Sequence, residues 1–310
     1  MSRRAADKNT LKFSHIADLL QCLDLPYPTQ PLITLIDYNK VKLNLADAGK
    51  GFLLDFYKVS FRDTFNGSLK YGPGTYDFRN GGLAFVAPHQ LVEMSANAEE
   101  YQGYALYFHP DLLHNYPLAG TIRRYGFFSY SVSESLFLSG EEKSVVSSIF
   151  KAIEQELGNN IDSFSQDVLV SQLELLLNHC NRFYNRQFLS RKNLHHDLID
   201  RLNSYLTEYF QMGSGITLGL PSPPQIALQL KVSQRYLSDL LRALTGNTTQ
   251  QYIHLWLIDK AKEMLSSDSL MISEIAYQLG FEHPQSFHKL FRQKTRLSPQ
   301  EFRQLTAPGP

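Results

Sequence analysis

The last third of the chain places apolar residues three or four positions apart, a spacing that predicts amphipathic helices. The predicted helices cover 195–211, 223–230, 234–245, 249–266, 272–279, 284–294 and 299–305. The segment "MGSGITLGLPSPP" after the first of them is predicted to be a loop. At its end, Ser222 followed by Pro223 has the form of an N-cap with proline at the first helical position.

Residues 30 to 130 have a different pattern, with short apolar or aromatic runs separated by turn-forming residues. The runs are "PLITLIDYN", "GFLLDFYKVSF", "GSLKYG", "GGLAFVAP" and "GYALYFHP", and "FNGS", "YGPGTYDFRNGG" and "APHQ" lie between them. Short strands joined by Gly, Pro and Asn are typical of a β-sandwich or a small barrel.

Helical spacing returns after residue 133. Ser139 and Glu142 have the form of a capping box, so a helix is predicted after Ser139. A second helix has a wide apolar face, which comprises Val168, Leu169, Leu173, Leu176, Leu177, Cys180 and Phe183. This face is either part of a core or half of a dimer seam, and the sequence leaves both readings open.

The polar break "LSRKN" separates the two regions and predicts a domain boundary near 190–194. Residues 1–29 are then an N-terminal extension, 30–190 a β-rich domain with helices after about 139, and 194–306 a helical domain. The predicted fold class is α+β.

An internal repeat relates residues 272–302 (the second copy) to 223–253 (the first copy). Ile226, Ala227, Leu230 and Val232 correspond to Ile275, Ala276, Leu279 and Phe281; after one inserted residue, Leu237, Leu240, Leu241, Thr245, Thr248 and Tyr252 correspond to Phe287, Leu290, Phe291, Thr295, Ser298 and Phe302. The match runs through two helices and the segment after them.

Each copy has the pattern of a helix-turn-helix unit. Ala227 or Ala276 allows two helices to cross closely, and Val232 or Phe281 fills the corner after the turn. Gly280 can adopt the positive φ that a tight helix ending requires.

The second helix of each copy carries polar residues on the face away from its apolar stripe. These are Ser233, Gln234, Arg235, Ser238, Asp239 and Arg242 in the first copy, and Gln285, Ser286, His288, Lys289 and Arg292 in the second. Polar helix faces of this kind are often simply exposed to solvent and bind no partner. Here they come in duplicate, and the helix between them, about 17 residues or about 25 Å long, suits two recognition helices roughly 34 Å apart in successive major grooves.

Composition adds few constraints. The 310 residues carry no net charge, although ten basic against seven acidic side chains follow Ser222. The two cysteines give neither a disulfide framework nor a zinc site. No apolar signal core opens the chain and no run of about 18 apolar residues occurs, so a cytoplasmic protein without a membrane partner is expected.

The C-terminal hundred residues resemble the AraC/XylS family of bacterial transcription regulators. The resemblance rests on "ALQLKVSQRYLSDLLRALTGNTTQQYI", "IDKAKEMLSS" and "ISEIAYQLGFEHPQSFHKLFRQKTRLSPQEFR". It implies two helix-turn-helix units joined by a linker helix, with base-facing side chains at Arg235, Ser238, Asp239, Gln285, His288 and Lys289.

The chain departs from the family pattern at three positions. Asp239 stands where many members have a basic or amide residue, Leu257 where an arginine is usual in the linker helix, and Arg296 where a glycine is usual before "SP". The last change places a Cβ at a helix ending, with an expected cost of about 1 kcal/mol.

The front half resembles, less specifically, the cupin-like barrel that serves many family members as an effector or dimerisation domain. The candidate effector-binding residues are Tyr57, Phe61, Tyr71, Tyr76, Phe85 and Tyr107. Expected partners are double-stranded promoter DNA, a small-molecule effector, a second copy of the chain through the helices at 140–187, and RNA polymerase.

Two alternatives remain at this level. One is a cupin-type metalloenzyme with an accessory helical domain, but His89, His109 and His114 form no His-x-His motif, so neither metal nor other cofactor is expected. The other is a DNA-binding protein whose front half only dimerises.

Overall fold

The computed structural model describes residues 10–41, 46–47, 49–62, 68–71, 74–77, 81–93, 103–131, 134–190, 192–267 and 270–306. The chain forms two compact units, Met1–Gln187 and Phe188–Pro310. The division falls inside one long helix, a few residues before the polar break that the sequence suggested as the boundary.

The first unit is built on β-sheets in which most strand pairs are antiparallel. Its strands are β1 (Thr10–Phe13), β2 (Ile33–Asp37), β3 (Gly51–Leu54), β4 (Tyr57–Arg62), β5 (Ser68–Tyr71), β6 (Gly74–Asp77), β7 (Gly82–Val86), β8 (Leu91–Glu93), β9 (Tyr104–Phe108) and β10 (Leu136–Phe137). The described strands form a five-stranded sheet in the order β10–β7–β4–β9–β2, a three-stranded sheet in the order β1–β3–β8 and the β5–β6 hairpin.

These strands do not close into the predicted cupin-like barrel. The run "GFLLDFYKVSF" reads as one strand in the sequence, but the chain bends at Asp55 and Phe56, so that β3 and β4 belong to different sheets. Among the described residues, no ladder joins the three-stranded sheet to the five-stranded one.

Part of the stretch that the sequence suggested as an N-terminal extension is a component of the core. β1 pairs in parallel with β3, and helix α1 (Ile16–Cys22) follows directly. Ile16, Leu19 and Leu20 of α1 are buried in one apolar cluster with Phe13 of β1 and Tyr107 of β9.

Three further α-helices come later in the described part of the first unit. They are α2 (Pro117–Thr121), α3 (Gly140–Gly158) and α4 (Ser165–Ser190). The predicted capping box is confirmed at α3, where Ser139 Oγ accepts from the Glu142 N–H at 3.3 Å and Glu142 Oε2 accepts from the Ser139 N–H at 2.8 Å.

The apolar face of α4 is mainly core. Leu173, Leu176, Leu177 and Cys180 have no exposed surface. Val168, which the sequence placed on the same face, is 38% exposed.

The second unit is helical throughout its described residues. Its helices are α5 (Lys192–Gln211), α6 (Ser214–Leu218), α7 (Pro223–Leu230), α8 (Gln234–Thr245), α9 (Thr249–Ser267), α10 (Ile272–Gln278), α11 (Pro284–Thr295) and α12 (Pro299–Thr306). Each predicted helix is present with nearly the predicted ends. The short helix α6 occupies part of the predicted loop, and Ser222 caps α7 as expected, its N–H donating to Gln225 Oε1 at 2.9 Å.

No helix within the described ranges combines the length and apolar character that crossing a bilayer would require.

Candidate nucleic-acid interface

The two sequence copies fold into two helix-turn-helix units with the same backbone hydrogen bonds. The N–H that follows each turn donates five residues back, from Val232 to Ala227 O and from Phe281 to Ala276 O, both at 3.0 Å. The recognition helices α8 and α11 end alike, since the residue after each donates back to Arg242 O or Arg292 O at 2.9 Å. The repeat read from the sequence is therefore a repeat of structure.

Residues with positive φ occupy equivalent positions in the two copies, but at each position only one copy has glycine. The turn position has Lys231 at φ 59° in the first copy and Gly280 at φ 82° in the second. The position after the recognition helix has Gly246 at φ 74° in the first copy and Arg296 at φ 65° in the second. Each copy thus retains one glycine and holds one bulky residue in a conformation that L-residues seldom adopt.

The inner faces of the recognition helices are packed. Leu237, Leu240 and Leu241 of α8 are buried, as are Phe287 and Phe291 of α11. The Phe287 ring lies against Phe281 and Phe291, with centroids 5.4 and 5.6 Å away. This packing fixes which side of each helix faces outward.

The outer face of α8 carries a network of charges. Gln234, Arg235 and Arg242 are exposed. Arg235 Nε donates to Asp239 Oδ2 at 2.9 Å, and Arg242 Nη1 donates to Asp239 Oδ1 at 3.3 Å. The Asp239 side chain is only 16% exposed, so its carboxylate lies beneath the two guanidinium groups.

Two serines complete this part of the first copy. Ser238 is half-buried. Ser233 is the N-cap of α8, and its Oγ accepts from the Tyr236 N–H at 3.2 Å. The Ser233 side chain therefore has a structural role in starting the helix.

The outer face of α11 is more open. Gln285, Ser286, His288, Lys289 and Arg292 are all exposed. Pro284 occupies the first turn, where a missing N–H costs nothing. The face carries amide, imidazole, ammonium and guanidinium groups without an acidic residue, a set suited to base edges and phosphates.

Helix α9 connects the two helix-turn-helix copies and packs against both. Its 19 residues span about 28 Å at about 1.5 Å per residue, and it packs on α8, α10, α11 and α12. Leu257, at the position where the family usually has arginine, is 1% exposed. The departure replaces a charged side chain with a core residue of the linker helix.

The candidate effector residues of the first unit lie on two faces of the five-stranded sheet. Phe61 and Phe85 face the helical side, where Phe61 lies 5.4 Å from the Phe150 ring and Phe85 4.3 Å from the Phe127 ring. Tyr107 is on the opposite face, in the apolar cluster of β1, α1 and β3. These residues therefore do not line one common interior.

The remaining candidates add little to a common site. Tyr57 stacks on Phe108 on the helical side, with ring centroids 4.9 Å apart. Tyr71 and Tyr76 lie on β5 and β6, but their side chains are outside the described residues.

One polar residue of the sheet was missed by the sequence reasoning. Lys58 on β4 lies on the Tyr107 side, with Nζ 5.6 Å from the Tyr107 ring centroid. Its signal in the sequence is a lysine within the alternating strand "YKVSFR".

In the part of the chain that the structure describes, no group of three or more His, Cys, Asp or Glu side chains is arranged to hold a metal ion.

Two protein-family models match this chain, one in its C-terminal part and one in its N-terminal part. A family model described as "Helix-turn-helix domain" matches residues 226–305, and one described as "AraC-like ligand binding domain" matches residues 66–173. The helix-turn-helix match covers both copies and the linker helix.

Similar proteins are found mainly through the C-terminal unit. The HTH-type transcriptional activator RhaR of Salmonella arizonae is 38% identical over 78 residues, which are 25% of this chain and 28% of that relative. The chain thus spans only about a quarter of the length of the curated relatives that it matches.

Two solved structures illustrate the likeness. An AraC-type transcriptional regulator from Chromobacterium violaceum is 28% identical, covering 29% of this chain and 80% of that one with a TM-score of 0.28. The C-terminal domain of AraT, a response regulator from Geobacillus stearothermophilus, is 24% identical, covering 36% of this chain and 88% of that one with a TM-score of 0.32.

Proposed function

We propose, from the premise that this chain belongs to the AraC/XylS family of transcription regulators, that it binds a specific promoter site and activates transcription. The observation that carries the proposal is the pair of recognition helices, α8 and α11, with packed inner faces and exposed polar outer faces. Each helix would enter a major groove, and α9 would hold the two helices about one turn of DNA apart. Such a protein acts in the cytoplasm, where bacterial promoters are.

The two copies would read DNA differently. On α11, Gln285 suits adenine, His288 and Lys289 suit guanine, and Ser286 and Arg292 suit phosphate oxygens. These assignments follow from exposure and side-chain chemistry.

On α8, Arg235 would read guanine, while Gln234, Ser238 and Arg242 would contact neighbouring bases or phosphates. Asp239 would act through Arg235, because a guanidinium held at Nε by a carboxylate loses less conformational freedom when it binds a base edge. Ser233, which caps the helix, would present the first backbone N–H groups of α8 to a phosphate.

The first unit would supply regulation, as an effector-binding and dimerisation domain. For dimerisation, α4 offers exposed apolar side chains beside its buried face: Val168 is 38% and Leu175 48% exposed, one heptad apart, and Phe164 just before the helix is 67% exposed. A heptad interval is the spacing at which apolar residues of one helix meet a partner helix in a coiled coil. We propose this stripe as the contact with a second copy, while RNA polymerase would be the partner of the DNA-bound activator.

The test of DNA reading uses Gln285→Ala and Lys289→Ala. Each should weaken binding to the cognate duplex by about 1–3 kcal/mol and relax preference at one or two base pairs. The control is Lys151→Ala, which removes the same charge from an exposed position of α3 in the first unit. Affinity is measured by fluorescence anisotropy at fixed salt on sites selected from a random library.

The outcome separates three cases. Loss of discrimination with either α11 variant and none with the control supports base reading. A uniform loss on all duplexes restricts these residues to phosphate contacts. If no duplex is selected and the variants bind like the parent chain, the proposed function is wrong.

The dimer is tested with Leu175→Glu, measured by sedimentation. The variant should be monomeric at concentrations where the parent chain is dimeric, because a carboxylate would be buried in the seam. Glu174→Gln, next to it on α4, is the control. A dimer that survives Leu175→Glu would exclude this stripe as the interface.

A further inference from the structure

A lysine projects from the middle strand of the five-stranded sheet of the first unit. Side chains alternate between the faces of a strand, and β4 directs Val59 and Phe61, which are 0% and 1% exposed, toward the helical side. Lys58, Ser60 and Arg62 are on the other face. Because β4 has β7 and β9 on its two sides, this position is central and not at an edge.

The surroundings of Lys58 are mostly apolar. In the ladders it stands opposite Val86 of β7 and Tyr107 of β9, and its Nζ lies over the Tyr107 ring. Tyr107 is 3% exposed and packs in the apolar cluster, with its hydroxyl 3.2 Å from the Tyr38 hydroxyl. The ammonium group thus lies beside an aromatic wall that carries a pair of hydroxyl groups.

The Lys58 charge lacks an acidic partner within the described part of the chain. Among the described residues Lys58 has no ion pair with an acidic side chain, and burial, followed by the charge of Arg62, lowers its pKa to about 8. Two other lysines of the unit differ: Lys12 is 3.1 Å from Asp55, and Lys40 is 3.2 Å from Asp37. A desolvated cation without a counter-ion is costly, and such groups cluster at binding sites.

We infer that this face of β4 binds a small anionic effector, with the half-buried Lys58 ammonium contacting its carboxylate or phosphate group. Arg62, on the same face, adds positive charge, and Ser60 between them offers a hydroxyl. The inference rests on the proposed function, since it gives the regulatory unit its class of ligand. Neutral ligands would leave the charge of Lys58 unbalanced.

The test compares simple anions with a neutral analogue. Acetate, inorganic phosphate and acetamide are added to the full-length chain at constant ionic strength, and the melting of the first unit is followed by calorimetry. An anion at about ten times its dissociation constant should raise the melting temperature by about 3–6 °C, and acetamide should not. Whichever of acetate and phosphate acts more strongly identifies the anionic group.

Three variants assign the effect to Lys58. Lys58→Met should abolish the anion-dependent rise, Lys58→Arg should keep it, and Lys12→Met should leave it unchanged. Equal rises in all variants, or no rise with either anion, would overturn the inference. Selective duplex binding, measured on the same preparations, tests the proposed function separately, because that activity does not depend on Lys58.

Discussion

Gly280, at the turn of the second helix-turn-helix unit, is a position where one added methyl group should be costly. Its φ is 82°, which costs a non-glycine residue about 1–2 kcal/mol. A Cβ there would also lie 3.0 Å from the carbonyl carbon and oxygen of Gly219 and 3.2 Å from the Leu220 nitrogen. Because these are backbone atoms, they cannot move aside by a rotamer change.

The two effects should add. Overpacking against neighbours that cannot move costs about 1–3 kcal/mol, so Gly280→Ala should lower the free energy of unfolding by roughly 2–5 kcal/mol. The matched control is Arg296→Gly, at φ 65°. It relieves left-handed strain and should raise the free energy of unfolding by up to about 1 kcal/mol.

The chain contains a convenient reporter for this measurement. Its single tryptophan is Trp256 on α9, stacked on Phe210 with ring centroids 5.4 Å apart. Tryptophan fluorescence during urea unfolding of the full-length chain therefore follows the second unit.

The result that refutes this reasoning is specific. If Gly280→Ala leaves the urea midpoint unchanged, then neither the close approach to Gly219 nor the positive φ constrains the turn. If Arg296→Gly destabilises the second unit as much as Gly280→Ala, then φ is not the controlling variable.

Further substitutions test other parts of the structure. Leu257→Ala should lower the free energy of unfolding of the second unit by about 2–5 kcal/mol, because it removes a buried side chain of α9; tryptophan fluorescence measures it, and a loss below about 1 kcal/mol would contradict the packing. Ser139→Ala should destabilise the first unit by about 0.5–2 kcal/mol through loss of the α3 cap, measured by calorimetry, with Ser148→Ala on the same helix as control. The pKa of Lys58 is about 8 in the folded chain, below the ordinary 10.5, so the unfolded chain binds more protons between these values. The stability of the parent chain should therefore rise relative to Lys58→Met from pH 8 toward 10.5, and a parallel pH profile would show that Lys58 is not desolvated.

Much of the second unit can be predicted from the sequence, because helix positions and helix ends depend on residues close together in the chain. Helical spacing, Ser222 before Pro223 and the glycine at 280 mark helix ends within a few residues. The repeat predicts which side of α8 and α11 is buried, since the leucines and phenylalanines at matched positions must share one role. The exposed faces on these helices follow from the same pattern.

What the sequence does not reveal depends on contacts between distant segments. Alternation along β4 shows that Lys58 and Tyr57 point in opposite directions, but not which side the helices cover. The bend at Asp55 is hidden in a continuous apolar run, so the assignment of β3 and β4 to separate sheets could not be anticipated. Asp239 reads as a base contact, whereas its place beneath two arginines appears only once the helix is built.

The exchange of glycine between the two copies has a consequence for recognising internal repeats. Lys231 against Gly280, and Gly246 against Arg296, count as mismatches when letters are aligned, yet both pairs keep the same sign of φ. At these two positions the copies share the sign of φ although they differ in the amino acid that adopts it. Searches scored on backbone torsions should detect duplications of this kind after residue identity has faded.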